Sequence, residues 1–366
     1  MYYKDLLLRE KNMKKRISFY SIIICFCFMF LSCATTVNVK LTRPAHLDLN
    51  GARTIAILPF KPCAYYKEYN TSLGMEILIN SFYQIFDIRD PDEQLAIDSL
   101  RTQIERGLLD SPYIKLVSSE AVETAKRKGQ LNPADVYLIG EVTYFDISDS
   151  KSEERKLVKA AKGDQKAEYE IVRYWKRTAY FNFKYQVVDS YSDKVISFDE
   201  VRMQETSSRY ESKKSLPSAY TLLESDIRYS AKKILQELQP YVVTKSIKLL
   251  EVKTKDKELK ARMKAADELA KNNQIQTASS EFQKIYEETG TVEAGYNAAI
   301  LQEALGNLSV AEKMMQDVYL NNPDSRVAKG LADIQSEINM ANRLKNQIKD
   351  STAGSDDSDD FDDLDF

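Results

Sequence analysis

Thr54-Ile55-Ala56-Ile57-Leu58-Pro59-Phe60 is a continuous apolar run, opened by Gly51 and closed by Pro59. A strand with water on one face alternates apolar and polar residues, so an unbroken run predicts a strand buried on both faces. Such a strand needs helices laid over its sheet, and the sequence downstream supplies them. Asp90-Pro91-Asp92-Glu93 opens a helix, with Asp90 as N-cap, Pro91 in the first turn and Glu93 closing a capping box. Ile97, Leu100, Ile104 and Leu108 then share one face. Residues 113–117 read as a second strand, Ser119 caps a short helix through Ala125, and residues 135–142 form a third strand. Residues 181–189 alternate cleanly and join 194–198 through a polar turn, which predicts a hairpin. A long helix over 217–238 carries Leu223, Ile227, Ala231, Ile234 and Leu238 inward. The pattern predicts an α/β (α+β) domain with a mixed sheet over residues 50–251.

From Asp256 the composition turns helical and periodic. Ala278, Phe282 and Ile285 recur as Ala311, Met315 and Val318, each 33 residues on. The second copy adds Tyr296-Asn297-Ala298-Ala299, a Gly306-Asn307 turn and a closing Pro323. This arrangement resembles a tetratricopeptide repeat, whose period is about 34. The first copy turns at Asn272-Asn273, and a last helix over 326–348 is expected to cap the stack. Residues 256–350 are thus expected to be all-α, and a pair of repeats with a cap should lean on the first domain. In such repeats the first helix lines a groove. The resemblance implies Lys260, Met263, Asp267 and Lys271 as partner-binding positions in the first repeat, and Glu293, Tyr296, Ile300 and Glu303 in the second.

The N-terminus carries an address. Lys14-Lys15-Arg16 follow Met13, an apolar run spans 17–31, and Ser32-Cys33 ends it. A charged region, a short apolar core and a small residue before the cut describe a secretory signal. The cysteine after the cut makes residues 1–32 resemble a bacterial lipoprotein signal, with Met13 the better initiator. The resemblance implies acylation of Cys33, by palmitate or a similar chain, and residues 33–49 read as a lipidated tether. Each buried methylene contributes about 0.8 kcal/mol, so several chains hold the protein at the membrane without a spanning helix. The expected location is the cell envelope, lipid-anchored, at the outer membrane and facing the periplasm. Cys25 and Cys27 leave with the signal, so Cys63 remains without a partner for a disulfide and reads as a small, half-buried apolar residue.

The opening Ile-Ala-Ile-Leu-Pro-Phe strand, the Lys115-Leu116-Val117-Ser118-Ser119 step, the Ala134-Asp135-Val136-Tyr137-Leu138-Ile139-Gly140 strand and the hairpin strand ending Val187-Val188-Asp189 occur together. Together they resemble the periplasmic lipoproteins around the curli-secretion protein CsgG, the penicillin-binding-protein activator LpoB and the N-terminal domain of TolB. That resemblance implies binding or assembly in the envelope. Two insertions, 61–92 and 147–178, stand where a pore-forming relative inserts membrane hairpins. A lipid-facing strand needs about 10 residues alternating apolar outward. The first insertion is aromatic without sustained alternation; the second is charged and reads as rather helical.

Reaction chemistry is not apparent in the residues. The chain holds one histidine, His46, and eleven glycines, with no Gly-x-Ser-x-Gly elbow and no phosphate-binding glycine loop. A two-histidine metal site is impossible within a single chain, and no cofactor is expected. The whole chain carries −3, of which residues 1–32 hold +4 and the acidic tail 356–366 holds −7, leaving 33–355 neutral. A neutral body argues against nucleic acid as a partner. The tail, 351–366, cannot bury enough surface to order itself. The reading is a non-enzymatic envelope adaptor or scaffold that meets the membrane through its lipid and envelope proteins through both domains. The alternative is a subunit of an oligomeric, CsgG-like outer-membrane export apparatus, with 61–92 touching the membrane.

Overall fold

The computed structural model describes residues 35–63, 90–160 and 167–352. The signal, Cys33, residues 64–89 of the first insertion and the acidic tail from 353 lie outside the described residues. The described chain groups into two units: residues 42–242 with 341–352, and residues 243–340 with 35–41. No helix among the described residues is long and apolar enough to cross a membrane.

The first unit is built on a five-stranded sheet. In chain order its elements are β2 (Thr54–Ile57), α1 (Pro91–Leu109), β3 (Lys115–Val117), α2 (Ser119–Lys128), β4 (Val136–Lys159), β5 (Glu168–Asp189), β6 (Val195–Thr206) and α3 (Ala219–Leu238). The label β1 belongs to Thr36–Arg43, described with the second unit. Strand order is β3-β2-β4-β5-β6. β2 runs parallel to β3 and β4, whereas β4, β5 and β6 form an antiparallel meander, so the sheet is mixed.

The unbroken apolar run does cover both faces. Ile55 and Ile57 join the main core with Leu100, Ile104, Phe181, Phe183, Leu223 and Ile227, while Ala56 faces Val122 and Ala134 on the other side. Burying each large apolar side chain contributes roughly 1.5–3 kcal/mol. Phe60 and Phe183 pack with centroids 4.8 Å apart over Gly140, where an added Cβ would lie 2.2 Å from the Phe183 ring. Asp90 caps α1 by accepting the Asp92 N–H at 2.8 Å. Glu93, expected in the capping box, is buried and accepts the Cys63 N–H. The cap of α2 is Ser118 and not Ser119: Ser118 accepts from the Ala121 N–H, while Ser119 is the first helical residue and is buried.

The second insertion departs from its expectation. Residues 147–159 and 168–178 are strand, not helix, and extend β4 and β5 as a two-stranded ribbon well past the register of β2, which ends at Leu138. The reason lies in cross-strand pairing. Alternate residues of the ribbon set Asp149 opposite Arg177 and Glu153 opposite Arg173, so charges spread along the sequence become complementary pairs across the strands.

The second unit comprises β1 (Thr36–Arg43) up to residue 41, β7 (Tyr241–Lys248) from residue 243, and five helices. These are α4 (Lys257–Lys271), α5 (Ile275–Thr289), α6 (Val292–Ala304), α7 (Leu308–Asn321) and α8 (Ser325–Thr352), the last counted here to residue 340. Asp256 caps α4 through the N–H groups of Glu258 and Leu259. The 33-residue echo is a packing echo: Ala278, Phe282 and Ile285 of α5, and Ala311, Met315 and Val318 of α7, are all buried. Residues 36–43, read as tether, form a strand instead. Val37, Val39 and Leu41 alternate with polar neighbours, and Val37 enters the core. Support for the helix pairs comes from residues 243–250, which the sequence assigned to the first domain and which group with the helices.

Candidate functional site

β1 and β7 pair in opposite directions: the Leu249 N–H donates to the Thr35 carbonyl at 2.9 Å, and Ser246 donates to Asn38 at 2.7 Å. Val37, Ile247 and Leu249 share one core with Met263, Ala266, Ala298, Leu301 and Met315. The inner face of α6, and of α4 the part at Met263 and Ala266, therefore meet an extended stretch of their own chain.

Over the second repeat this contact is complete. Asn297 is fully buried; its Oδ1 accepts the Leu250 N–H at 2.7 Å and its Nδ2 donates to the Leu250 carbonyl at 2.9 Å. One side-chain amide thereby does for an extended backbone what a neighbouring strand would do. Lys245 reaches inward from β7 to Glu303 of α6 and, at 2.7 Å, to Glu337 of α8. Burial alone would lower the Lys245 pKa, but the two carboxylates raise it above its ordinary value. Burial pushes Glu303 up, against the pull of Lys245. Ile300 is core. Glu293 pairs with Arg326 at 3.1 Å, and the Tyr296 ring lies against Gly330, where an added Cβ would meet it at 2.7 Å. Burial raises the Tyr296 hydroxyl pKa.

Over the first repeat the face is open. Lys260, Met263, Asp267 and Lys271 line one cavity of about 640 Å³, whose far wall is Thr35 and residues 251–255. Met263 is 3 % exposed and forms an apolar floor. Lys260, Lys264 and Lys271 stand on one face of α4, joined by Lys253 and Lys255. Lys271 bonds to Glu268 at 2.8 Å; Lys253, Lys255, Lys260 and Lys264 make no ion pair among the described residues. Asp267 is half-buried, with Oδ1 lacking a hydrogen-bond partner among the described residues. Burial pushes its carboxyl up to about 6, with Lys271 opposing and Glu251 and Glu268 adding.

The structure thus brings four predicted positions together around an open cleft and engages the other four with the chain itself. Sequence reasoning missed Lys245, Asn297 and the lysines at 253 and 255. A signal existed for the first: Val243, Lys245, Ile247 and Leu249 share one strand face, and a lysine in an apolar stripe implies a buried acidic partner. His46, the one histidine, bonds through Nε2 to the Tyr241 hydroxyl at 2.8 Å.

No family model and no curated protein matches this chain. Several solved structures are similar to it. A PelC dodecamer from Paraburkholderia phytofirmans is 11% identical, with 55% of this chain and 97% of that chain covered and a TM-score of 0.24. Lipoprotein GNA1162 from Neisseria meningitidis is 14% identical over 49% of this chain and 99% of its own, with a TM-score of 0.21. A putative neuraminyllactose-binding hemagglutinin homolog from Helicobacter pylori is 12% identical over 53% and 87%, with a TM-score of 0.27. A bacterial lipoprotein therefore stands among the structural neighbours, and none of these likenesses assigns a function to this chain.

Proposed function

We propose that this chain is a lipid-anchored, non-catalytic scaffold of the cell envelope, held at the outer membrane through Cys33, that meets protein partners through the β4–β5 ribbon. The ribbon is the observation that supports this reading. Isolated two-stranded ribbons are marginal in water, and this one is stiffened at its base and along its length. Arg177 binds Asp149 in a two-pronged contact at 2.8 and 3.0 Å and donates to the Pro217 carbonyl at 3.1 Å. Farther out, Arg173 meets Glu153 at 3.0 Å, and the Arg155 guanidinium lies 4.6 Å over the Tyr169 ring.

The outer half presents Leu157, Tyr169 and Ile171 to solvent among charges. That mixture suits a protein surface and not lipid, whose strands need sustained apolar alternation. The Val142 N–H donates to the Lys61 carbonyl, which ties the inner part of β4 to the stretch after β2. Confinement by the lipid raises the effective concentration of the ribbon toward envelope partners.

The test joins two measurements in cells. Radiolabelled palmitate should enter the parent and not the Cys33→Ser variant. Crosslinking followed by mass spectrometry should recover partner proteins with the parent and lose them when residues 150–176 are replaced by a tight Asn-Gly turn. Unchanged recovery with the shortened ribbon would refute its role.

A further inference from the structure

We infer that the lysine-lined cleft of the helical unit seats the phosphate headgroup of an anionic phospholipid in the leaflet that holds the anchor; the inference rests on acylation at Cys33. Two independent features meet at that cleft. The first is reach. Thr35 forms part of its wall, and two residues span about 7 Å at full extension. Because β1 begins at Thr36 and is tied to β7, no slack tether separates an acylated Cys33 from the cleft. A chain anchored there brings the headgroup layer to the cleft mouth.

The second feature is charge. Residues 33–355 are neutral as a whole, yet the cleft gathers five lysines, at 253, 255, 260, 264 and 271, against Glu251, Asp267 and Glu268. Lysine ammoniums on flexible stems suit a phosphate as point charges. A cavity of about 640 Å³ lies within the range of small-ligand sites. The competing occupant is an acidic peptide, of which the chain's own 356–366 is an example. The lipid is favoured because the anchor itself delivers the phosphate layer, whereas a peptide must be brought from elsewhere.

The test uses the mature chain from residue 33 carrying Cys33→Ser, so that binding is read without the lipid. Flotation is measured with phosphatidylcholine vesicles, with and without phosphatidylglycerol at about one part in three, near 0.1 M salt. The parent should float with the anionic vesicles and not with the neutral ones. At about fivefold per lysine, the combined Lys255→Gln, Lys260→Gln and Lys264→Gln variant should lose roughly a hundredfold in partition. A control combining Lys313→Gln, Lys329→Gln and Lys345→Gln should stay within about twofold, and circular dichroism should be unchanged in both. Absence of anionic-vesicle binding by the parent, or an equal loss in the control, overturns the inference. So does capture of a synthetic 353–366 peptide by the same lysines without vesicle binding, which hands the cleft to an acidic segment. Palmitate labelling reads the anchor separately, so failure of one reading is distinguishable from failure of the other.

Discussion

The two repeats of the helical unit place matched positions 33 residues apart, and those positions have opposite fates. Lys260 is exposed on an open cleft; its counterpart Glu293 is paired with Arg326. Asp267 keeps a carboxyl oxygen without a partner among the described residues; its counterpart Ile300 is core. Met263 floors a cavity, and Tyr296 is pressed against Gly330. The helical scaffold is common to both, so the difference comes from what lies over it. Where the chain at 245–250 crosses, groove positions become structural; where it has turned away, they retain charge and space.

The sharpest consequence of that contrast is at Lys245. Lys245→Ala leaves Glu303 and Glu337 facing one another without their shared cation. Breaking a buried pair in this way costs about 3–5 kcal/mol, read as a lower urea midpoint at pH 7. A combined Lys245→Met, Glu303→Leu and Glu337→Leu variant should recover most of the loss, because apolar residues of similar volume need no counter-charge. A parental midpoint for Lys245→Ala would break the comparison at once, since the strand would then be held by something else.

Asn297→Ala tests the same half by a smaller step. It leaves the Leu250 N–H and carbonyl without their amide partner, a cost of about 1–3 kcal/mol. Hydrogen exchange at the Leu250 amide should accelerate more than at amides of the five-stranded sheet. Equal acceleration in both units would point to global loss of stability.

Much of this architecture was legible beforehand, and the gaps have physical causes. The run at 54–60 announced a strand covered on both faces, and the helical face of Ile97, Leu100, Ile104 and Leu108 is buried as expected. The 33-residue echo located four of the five helices of the second unit. The ribbon was not legible, because strand residues whose charges are satisfied only by a facing strand look like a solvated helix when read one segment at a time. β1 was overlooked although Val37, Val39 and Leu41 alternate, because three apolar residues behind a signal resemble a linker. The covered half of the groove was hidden for a different reason: nothing local in Glu303 or Asn297 says that its partner is the chain's own segment at 245–250, 58 or 47 residues away.

On the open half, the expected effects are smaller and depend on pH. The Asp267 carboxyl has an ordinary pKa of 3.8, raised to about 6 in the folded chain, chiefly by burial. Between those values the folded state holds a proton that the unfolded state has released. This contribution is therefore present in full below about pH 4 and is lost as pH rises through 6. Asp267→Asn has no such titration, so its melting temperature relative to the parent should climb between pH 4 and 6 and level off above. A flat difference across that window would mean that the carboxyl is better solvated than its surroundings indicate.

The smallest expected effect is the most informative about purpose. Lys264 belongs to the same unit as Lys245, but it is exposed and makes no ion pair among the described residues. Lys264→Ala should shift stability by no more than about 0.5 kcal/mol, the range for surface positions, with the better helix propensity of alanine offsetting any lost attraction to Glu268. Two lysines in one unit would then differ by several kcal/mol. The large value marks a cation used within the fold, and the near-zero value marks one whose charge is available to something outside it. A loss above about 1 kcal/mol for Lys264→Ala would erase that distinction, because the cleft would then be part of the structure's own support.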